Sequence, residues 1–369
     1  MQHRPAGVQT IQRTPNLPRS PISWQCPRTR QPRELAVRYE HQTDRILARG
    51  DEFRFDLTEP VRLEPVVIPK PWGREIWYTG SEARGESRVH GSHGSLPLAA
   101  YAALAPDAIT DGLPLVLLKI LVSDSQPLQG ELYLEVHREK AEAYLVTHID
   151  RSAWPDGVAE LRYGISAEAR GRYPDDQAFR QALTTAALAL EASPEDPQRR
   201  RALLAFISSV QIREGSRVRI EPGIPHGLPN GVRVVEFQTP TYERLILAAS
   251  QPVVTQASWD CGAAVDAMNT SPTGSTGAAV ETVSGEQPLA RFRDFGARIL
   301  RLDAQVSELT LPPTRGAVVA LCSEGSVQLG TLTLTKEEAA IIPAAALRRQ
   351  QRVRASTTEA TCVIAGTDY

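Results

Sequence analysis

Two histidines and two carboxylates stand at spacings that could build a metal site. Glu135 and His137 are two residues apart, so on a β-strand both side chains leave the same face. Glu142 opens the next strand-like run, and His226 follows a Pro-Gly turn at residues 222–223. A single histidine is more often a surface or satisfied core residue, but this set offers four nitrogen and oxygen donors. Donors of this type suit a divalent transition metal, and the imidazoles favour zinc.

The elements that must position these residues are predicted to be strands. Residues 218–220 and 232–237 flank the turn that carries His226, and a histidine on a rigid turn between two strands points into a barrel. Further short apolar runs predict strands before and between the two parts of the site. These runs cover residues 66–68, 75–78, 115–122, 131–137 and 143–149, with one helix predicted over residues 96–104.

The region between the two parts of the site has helical periodicity. Residues 174–210 predict a helical pair inserted into the barrel, with an N-cap at Asp175 or Asp176 and a second helix that starts at Pro197. The leucines of this pair are expected in the core, with a partner-binding stripe as the weaker alternative. Residues 251–287 are rich in Ala, Ser, Thr and Gly and predict a linker or loose loop.

A second β-unit is predicted at the carboxyl-terminal end. Residues 288–369 contain no histidine, so this unit is expected to contribute core and interface instead of a metal site. Its strands are predicted at residues 297–302, 306–311, 317–321, 326–334 and 361–365. The metal-binding unit is assigned to residues 61–250. Residues 1–60 are assigned to an extended arm, because their proline and arginine content also fits disorder.

Several motifs resemble the type I mannose-6-phosphate isomerases, a family within the cupin superfamily. The chain has PKPWG at residues 69–73, GES at 85–87, PLVLLKI at 114–120, GIPH at 223–226 and EFQ at 236–238. The order and spacing match the family from about residue 66 to 247. The resemblance implies a mainly β fold: a cupin-type jelly-roll barrel with a helical insertion, followed by a second cupin-like β-domain.

The resemblance also implies an activity. Members of the family interconvert mannose 6-phosphate and fructose 6-phosphate, so the expected partner is a phosphorylated hexose and the expected cofactor is one Zn²⁺ per chain. Glu135, His137, Glu142 and His226 take the positions of the metal ligands. Lys140 matches the family's lysine and would handle a proton or stabilise an oxygen, with an exposed strand-end lysine as the alternative. Arg244 would stabilise charge or contact phosphate, unless it is an ordinary solvated arginine.

The chain departs from the family at two places. Glu135 stands where the family has glutamine, and an arginine replaces the proline that follows His137. Where the family has Thr-Tyr-Arg, this chain has the additional Glu243 between the tyrosine and the arginine, so Arg244 lies one residue later than the family's arginine. These departures keep an alternative open: a cupin that binds sugar or metal without catalysis, or one that uses another metal and substrate.

Composition excludes several other classes of function. The formal net charge of −2 argues against a nucleic-acid partner, and no apolar run is long enough to span a membrane. The four cysteines are far apart and predict inert thiols in a reducing compartment, with the cytoplasm as the default location and a monomer or homodimer as the assembly. His90 and His93 predict a surface loop over the pocket mouth more than a metal site. His148 is expected to be structural.

Overall fold

The computed structural model describes residues 36–40, 45–50, 53–82, 85–273 and 283–367. Antiparallel strands dominate these ranges, and the predicted mainly β class is confirmed. None of the helices within the described ranges is long and apolar enough to cross a membrane. Most of the proposed arm, including residues 1–35, lies outside the described residues, and so does Cys26.

The first part of the chain forms short hairpins. Three strands lie inside residues 36–56, a range that the sequence analysis assigned to the extended arm. The elements in order are β1 Ala36–Glu40, β2 Arg45–Gly50, β3 Phe53–Asp56, β4 Val61–Glu64, β5 Val66–Lys70, β6 Gly73–Trp77, β7 Ser81–Glu82, β8 Gly85–Glu86, β9 Arg88–Gly91, β10 Gly94–Pro97, α1 Leu98–Ala102 and α2 Pro106–Ile109.

The middle of the chain contains the candidate ligands and the helical insertion. Its elements are β11 Leu117–Ser123, β12 Leu134–Val136, β13 Glu142–Ile149, β14 Ala159–Ile165, α3 Ala167–Gly171, α4 Asp176–Glu191, α5 Pro197–Leu204, β15 Ile207–Ile212, β16 Arg217–Ile220, β17 His226–Gly227, β18 Val232–Gln238 and β19 Leu245–Ala248. The predicted helical pair is present as α4 and α5. Its last predicted residues, 207–210, belong to β15, because this segment pairs with β14 and buries Ile207 and Val210 in two different cores.

The last part of the chain is again mostly strands. It comprises α6 Cys261–Ala267, β20 Gly285–Arg291, β21 Gly296–Leu302, β22 Glu308–Thr310, β23 Val318–Glu324, β24 Ser326–Leu329, β25 Leu332–Thr335, β26 Ala339–Ile342, α7 Ala344–Leu347, β27 Arg352–Ala355 and β28 Ala360–Gly366. The predicted strand over residues 326–334 is a hairpin, since Gly330 turns the chain with a φ of 54°. Helix α6 lies inside the predicted linker, whose residues 274–282 are outside the described ranges.

Two sheets form the first barrel and enclose the predicted metal ligands. One sheet has the strand order β16-β13-β18-β11-β6-β5, and the other has β15-β14-β17-β12-β19. Along β13, alternate residues leave opposite faces: Tyr144 packs inside this barrel, whereas Ala143 and Leu145 belong to a different core. The barrel interior therefore receives every second residue of its strands.

The outer face of the first barrel packs on a second β-unit. An eight-stranded sheet has the order β10-β9-β4-β26-β23-β28-β21-β20, so three strands from before residue 98 complete the sheet of the carboxyl-terminal unit. One apolar core joins β11 and β18 of the first barrel to β23, β26 and β28 of this sheet. The domain boundary at residues 251–287 stays a prediction. One apolar core contains side chains from both sides of this boundary.

The helical insertion covers the other side of the first barrel. Helix α4 begins at its N-cap Asp175, whose carboxylate accepts a hydrogen bond from the Ala178 amide over 2.8 Å. Phe179 and Leu183 of α4 are fully buried and pack with strands β12 and β19. The predicted core position of these apolar side chains is confirmed, and the insertion braces the sheet that carries two of the candidate ligands.

Candidate metal centre and active-site cavity

Four side chains converge inside the first barrel: Glu135, His137, Glu142 and His226. Each offers one ligand atom, and these atoms all lie within 4.8 Å of one another. Strand pairing explains the convergence, since Glu135 lies directly opposite His226 on neighbouring strands. The predicted spacing of Glu135 and His137 also brings both side chains to the same face.

The distances within the cluster match a set of donors around one central position. The Nε2 atom of His137 lies 3.2 Å from Glu142 Oε1 and 3.5 Å from Glu135 Oε1. The Nε2 atom of His226 lies 3.2 Å from Glu142 Oε2 and 3.9 Å from Glu135 Oε1. Carboxylate oxygens and imidazole nitrogens at these separations are the donor set expected for zinc or a similar divalent ion.

The hydrogen bonding of the two histidines leaves one nitrogen of each ring directed at the cluster. Both Nε2 atoms are buried and have no hydrogen-bond partner among the described residues. The opposite ring nitrogen of His226, Nδ1, lies 2.9 Å from the Ile224 carbonyl oxygen, which holds the ring with Nε2 facing the cluster. Buried polar atoms without partners are rare in proteins, so the cluster fits a metal ion chemically.

Glu142 is the most strongly held member of the cluster. Lys140 Nζ donates to Glu142 Oε1 over 2.6 Å, and the Tyr144 hydroxyl donates to Oε2 over 2.5 Å. Burial opposes ionisation of Glu142, but the Lys140 ammonium and the interactions with the His137 and His226 rings outweigh it and hold its pKa well below the usual range. Burial likewise opposes the charge of Lys140, yet Glu142 and Glu135 raise its pKa, so this lysine stays protonated.

A cavity of about 250 Å³ opens beside the cluster and has mixed charge. Glu135, Lys140 and Tyr144 contribute to its wall, so the candidate metal position lies at its edge. The charged side chains that line it also include Lys70, Glu75, Lys119, Glu236, Glu243 and Arg244, and the aromatic ones include Trp72, Trp77, Tyr133 and Tyr242. Charged groups next to aromatic rings in a concave site are typical of polar small-molecule recognition.

Lys119 and Glu236 are cavity residues to which the sequence analysis assigned no role. They are directly opposite each other on β11 and β18, with Nζ 4.0 Å from the Glu236 carboxylate and 2.6 Å from Gln238 Oε1. Lys119 Nζ also lies 5.3 Å from the Trp77 ring centre. A signal for Lys119 was present: it is the lone charge inside an otherwise apolar strand, a pattern that indicates a function because burying a charge is costly. Glu236 shares its strand with Arg233, so the pattern is weaker there.

The pKa of Glu236 is displaced into the physiological range. Burial raises it, and the nearby charge of Glu142 adds to that effect, while Lys119 acts in the opposite direction; the resulting pKa is about 8. A carboxyl group with such a pKa can carry and release a proton near neutral pH. The pKa of Lys70 is lowered by burial. The carboxylate of Glu75, 3.2 Å away, raises this pKa but does not offset the effect of burial.

Arg244 lies at the cavity wall, as its predicted role requires. Its Nη2 atom donates to Thr255 Oγ1 over 2.7 Å, its Nε is 4.0 Å from Glu135 Oε2, and its guanidinium lies 5.0 Å from the Tyr133 ring centre. The adjacent Glu243 contacts the backbone of a neighbouring turn. Its Oε2 accepts hydrogen bonds from the backbone amides of Arg138 and Glu139, both over 2.9 Å.

The other histidines lie elsewhere. His90 is on β9, where Nε2 lies 2.8 Å from Glu64 Oε2, and His93 is in the turn that follows, away from the cavity wall. His148 is exposed and lies 3.1 Å from Glu214. Cys261, Cys322 and Cys362 are buried free thiols, as predicted for these three residues, and the reducing compartment stays a prediction.

Solved structures share this architecture. A mannose 6-phosphate isomerase from Bacillus subtilis is 16% identical, covers 84% of this chain and 99% of its own length, and gives a TM-score of 0.58. A phosphomannose isomerase variant from Salmonella typhimurium is 15% identical over 84% of this chain and 100% of its own, with a TM-score of 0.63. A mannose 6-phosphate isomerase bound with zinc and yttrium is 14% identical over 83% of this chain and 99% of its own, with a TM-score of 0.61.

No family model and no curated protein sequence matches the chain. The structural matches nevertheless extend over most of it and confirm the predicted resemblance in fold: this chain has the fold of these phosphomannose isomerases. At these identities the likeness shows the fold, and the reaction must be argued from the site.

Proposed function

We propose that this chain is a zinc-dependent aldose–ketose isomerase that interconverts mannose 6-phosphate and fructose 6-phosphate. The observation that carries the proposal is the adjacency of two features in one barrel. A cluster of four metal-type donors stands at the edge of a cavity, and that cavity contains lysines, carboxylates and an arginine for proton transfer and charge stabilisation. The fold shared with phosphomannose isomerases supports the same reading.

Isomerisation requires that a proton leave the carbon beside a carbonyl while negative charge builds on the sugar oxygens. A divalent ion held by Glu135, His137, Glu142 and His226 would supply positive charge for those oxygens. The protonated Lys140 adds a fixed donor beside the cluster. Glu236, with its pKa of about 8, is our candidate for moving the proton, and Lys119 holds it from the facing strand.

Metal content tests the first step of this proposal. The purified protein should contain one equivalent of metal, with zinc preferred over manganese and cobalt. His226→Ala should abolish stoichiometric binding, because it removes a buried donor that no neighbouring side chain replaces. His148→Ala, which removes an exposed histidine outside the cluster, is the matched control. A full equivalent of metal in His226→Ala would show that the ligand assignment is wrong.

A coupled assay for fructose 6-phosphate tests the reaction itself. The metal-loaded protein should convert mannose 6-phosphate above background with zinc, manganese or cobalt. Lys140→Ala and Arg244→Ala should each lower turnover by about a hundredfold or more, since each removes a group that acts on developing charge. Arg244→Ala should retain its metal. Lack of conversion with all three metals would contradict the enzyme assignment and favour a binding protein with the same fold.

The charges in the cavity favour a second candidate substrate, an aldose without phosphate. Each cation at the wall already faces a carboxylate: Lys70 faces Glu75, Lys119 faces Glu236, Lys140 faces Glu142, and Arg244 faces Glu135. A phosphate dianion gains most from cations that are not already neutralised. Measuring kcat/KM for mannose and mannose 6-phosphate on the same preparation separates the two candidates.

A further inference from the structure

Glu142 is oriented by two donors of different kinds, one on each oxygen. Oε1 receives the charged Lys140 ammonium and faces His137, whereas Oε2 receives the Tyr144 hydroxyl and faces His226. The carboxylate plane is therefore fixed at both ends. Rotation of this group about its last bond would break both hydrogen bonds.

The position of Tyr144 follows from its strand. Glu142 and Tyr144 are two residues apart on β13, so both side chains enter the barrel on the same face. The Tyr144 ring is 3% exposed and packs in the barrel core, and its centre lies 6.5 Å from the His226 ring centre. The Glu142 carboxylate can only accept in this pair, so the Tyr144 hydroxyl is the donor.

We infer that Tyr144 is a positioning residue for the metal: through its hydroxyl it fixes the oxygen of Glu142 that faces His226. This inference rests on the metal centre of the proposed function. Hydrogen bonds from outside the ligand set fix the orientation of a ligand and its basicity, and their loss typically weakens metal binding roughly 10- to 100-fold. Lys140 contributes both charge and geometry to Glu142, whereas Tyr144 contributes geometry alone.

The Tyr144→Phe variant isolates this contribution, because phenylalanine keeps the ring and loses only the hydroxyl. Tyr78→Phe is the matched control: Tyr78 is 2% exposed, and its hydroxyl donates over the same 2.5 Å, but to the Glu337 carbonyl outside the metal site. Zinc affinity is measured by competition with a chelator. The visible spectrum of the Co²⁺-loaded protein reports the coordination geometry.

Tyr144→Phe should bind zinc roughly 10- to 100-fold more weakly than the wild type and change the Co²⁺ spectrum. Tyr78→Phe should leave both readouts unchanged. Equal zinc affinity in Tyr144→Phe and the wild type would overturn the inference while leaving the metal centre intact. Absence of metal binding in the wild type would overturn both proposals, and an unfolded metal-free Tyr144→Phe protein would show that the hydroxyl supports the fold instead.

Discussion

At the scale of single residues, the cluster of Glu135, His137, Glu142 and His226 has an unusual charge. Two carboxylates and two imidazoles converge, so the donor set carries two negative charges when ionised. Burial opposes the ionisation of Glu135, but His137 and Lys140 outweigh it and lower its pKa to about 2. An anionic donor set makes a bound metal a weaker Lewis acid. Glu135, which replaces the family's glutamine, is therefore the residue that most directly sets the reactivity of the site.

Glu135→Gln tests that effect. The variant should keep its metal and keep or raise isomerase turnover, because it removes one negative charge while retaining an oxygen donor. Elemental analysis and the coupled assay measure the two quantities, and Glu139→Gln, an exposed carboxylate nearby, serves as the control. Simultaneous loss of metal and activity would show that the site depends on a carboxylate at this position.

Glu236 should make the stability of the metal-free protein depend on pH. Its pKa is raised from the ordinary value of 4.5 to about 8, so between these values the folded protein binds more protons here than the unfolded chain. The free energy of unfolding should therefore fall as pH rises through this range. Urea unfolding at about pH 6 and about pH 9 should show a larger loss in the wild type than in Glu236→Gln. Equal losses would show that Glu236 does not titrate in this window.

At the scale of elements, two of the three departures from the family pattern contact each other. The arginine that replaces the expected proline has a backbone N–H, which proline lacks, and the additional Glu243 accepts a hydrogen bond from it. The same carboxylate oxygen also accepts from the Glu139 amide. The loop between β18 and β19 thus holds the turn between His137 and Lys140, and the two departures form one structural unit.

Glu243→Ala should loosen that turn. Loss of two charge-assisted hydrogen bonds should cost about 1–3 kcal/mol of the free energy of unfolding. Turnover should also fall, since the turn positions both His137 and Lys140. Glu139→Ala removes a neighbouring exposed carboxylate and is the matched control for denaturant unfolding and for the assay. If Glu243→Ala and Glu139→Ala behave alike, the contact does not support the turn.

At the scale of the whole molecule, the two β-units share a core. Strand β4 pairs with β26, from Leu63 with Ala339 to Val61 with Ile341. The apolar layer between the six-stranded and eight-stranded sheets contains side chains from both units. Ile341, which lies in this layer on β26, is fully buried. A substitution that destabilises the carboxyl-terminal unit should therefore also destabilise the barrel that contains the four-donor cluster.

Ile341→Ala tests this coupling. The cavity should cost about 2–5 kcal/mol, and unfolding followed by tryptophan fluorescence and by loss of bound Co²⁺ should shift together. Leu188→Ala, at an exposed position of α4, should leave both transitions in place. Retention of Co²⁺ at denaturant concentrations that unfold the rest of the variant would show that the barrels are independent.

The sequence, through residue spacing and the family resemblance, predicted the four donors that converge and the general architecture. A two-residue spacing on a strand puts Glu135 and His137 on the same face, and a Pro-Gly turn introduces His226, because local backbone geometry decides both. The periodicity of residues 174–210 predicted the helical pair for the same reason, except at its last residues. There the pairing of β15 with β14 overrode the local pattern.

Only the tertiary structure decided which distant groups meet. The pairing of Lys119 with Glu236, the contact of Glu243 with the turn after His137, and the sheet that joins β4 to β26 all depend on strand register. Register is set by long-range packing of the whole core, which residue spacing along the chain does not encode. The raised pKa of Glu236 has the same origin, since burial and the charges of Glu142 and Lys119 exist only once these strands are assembled.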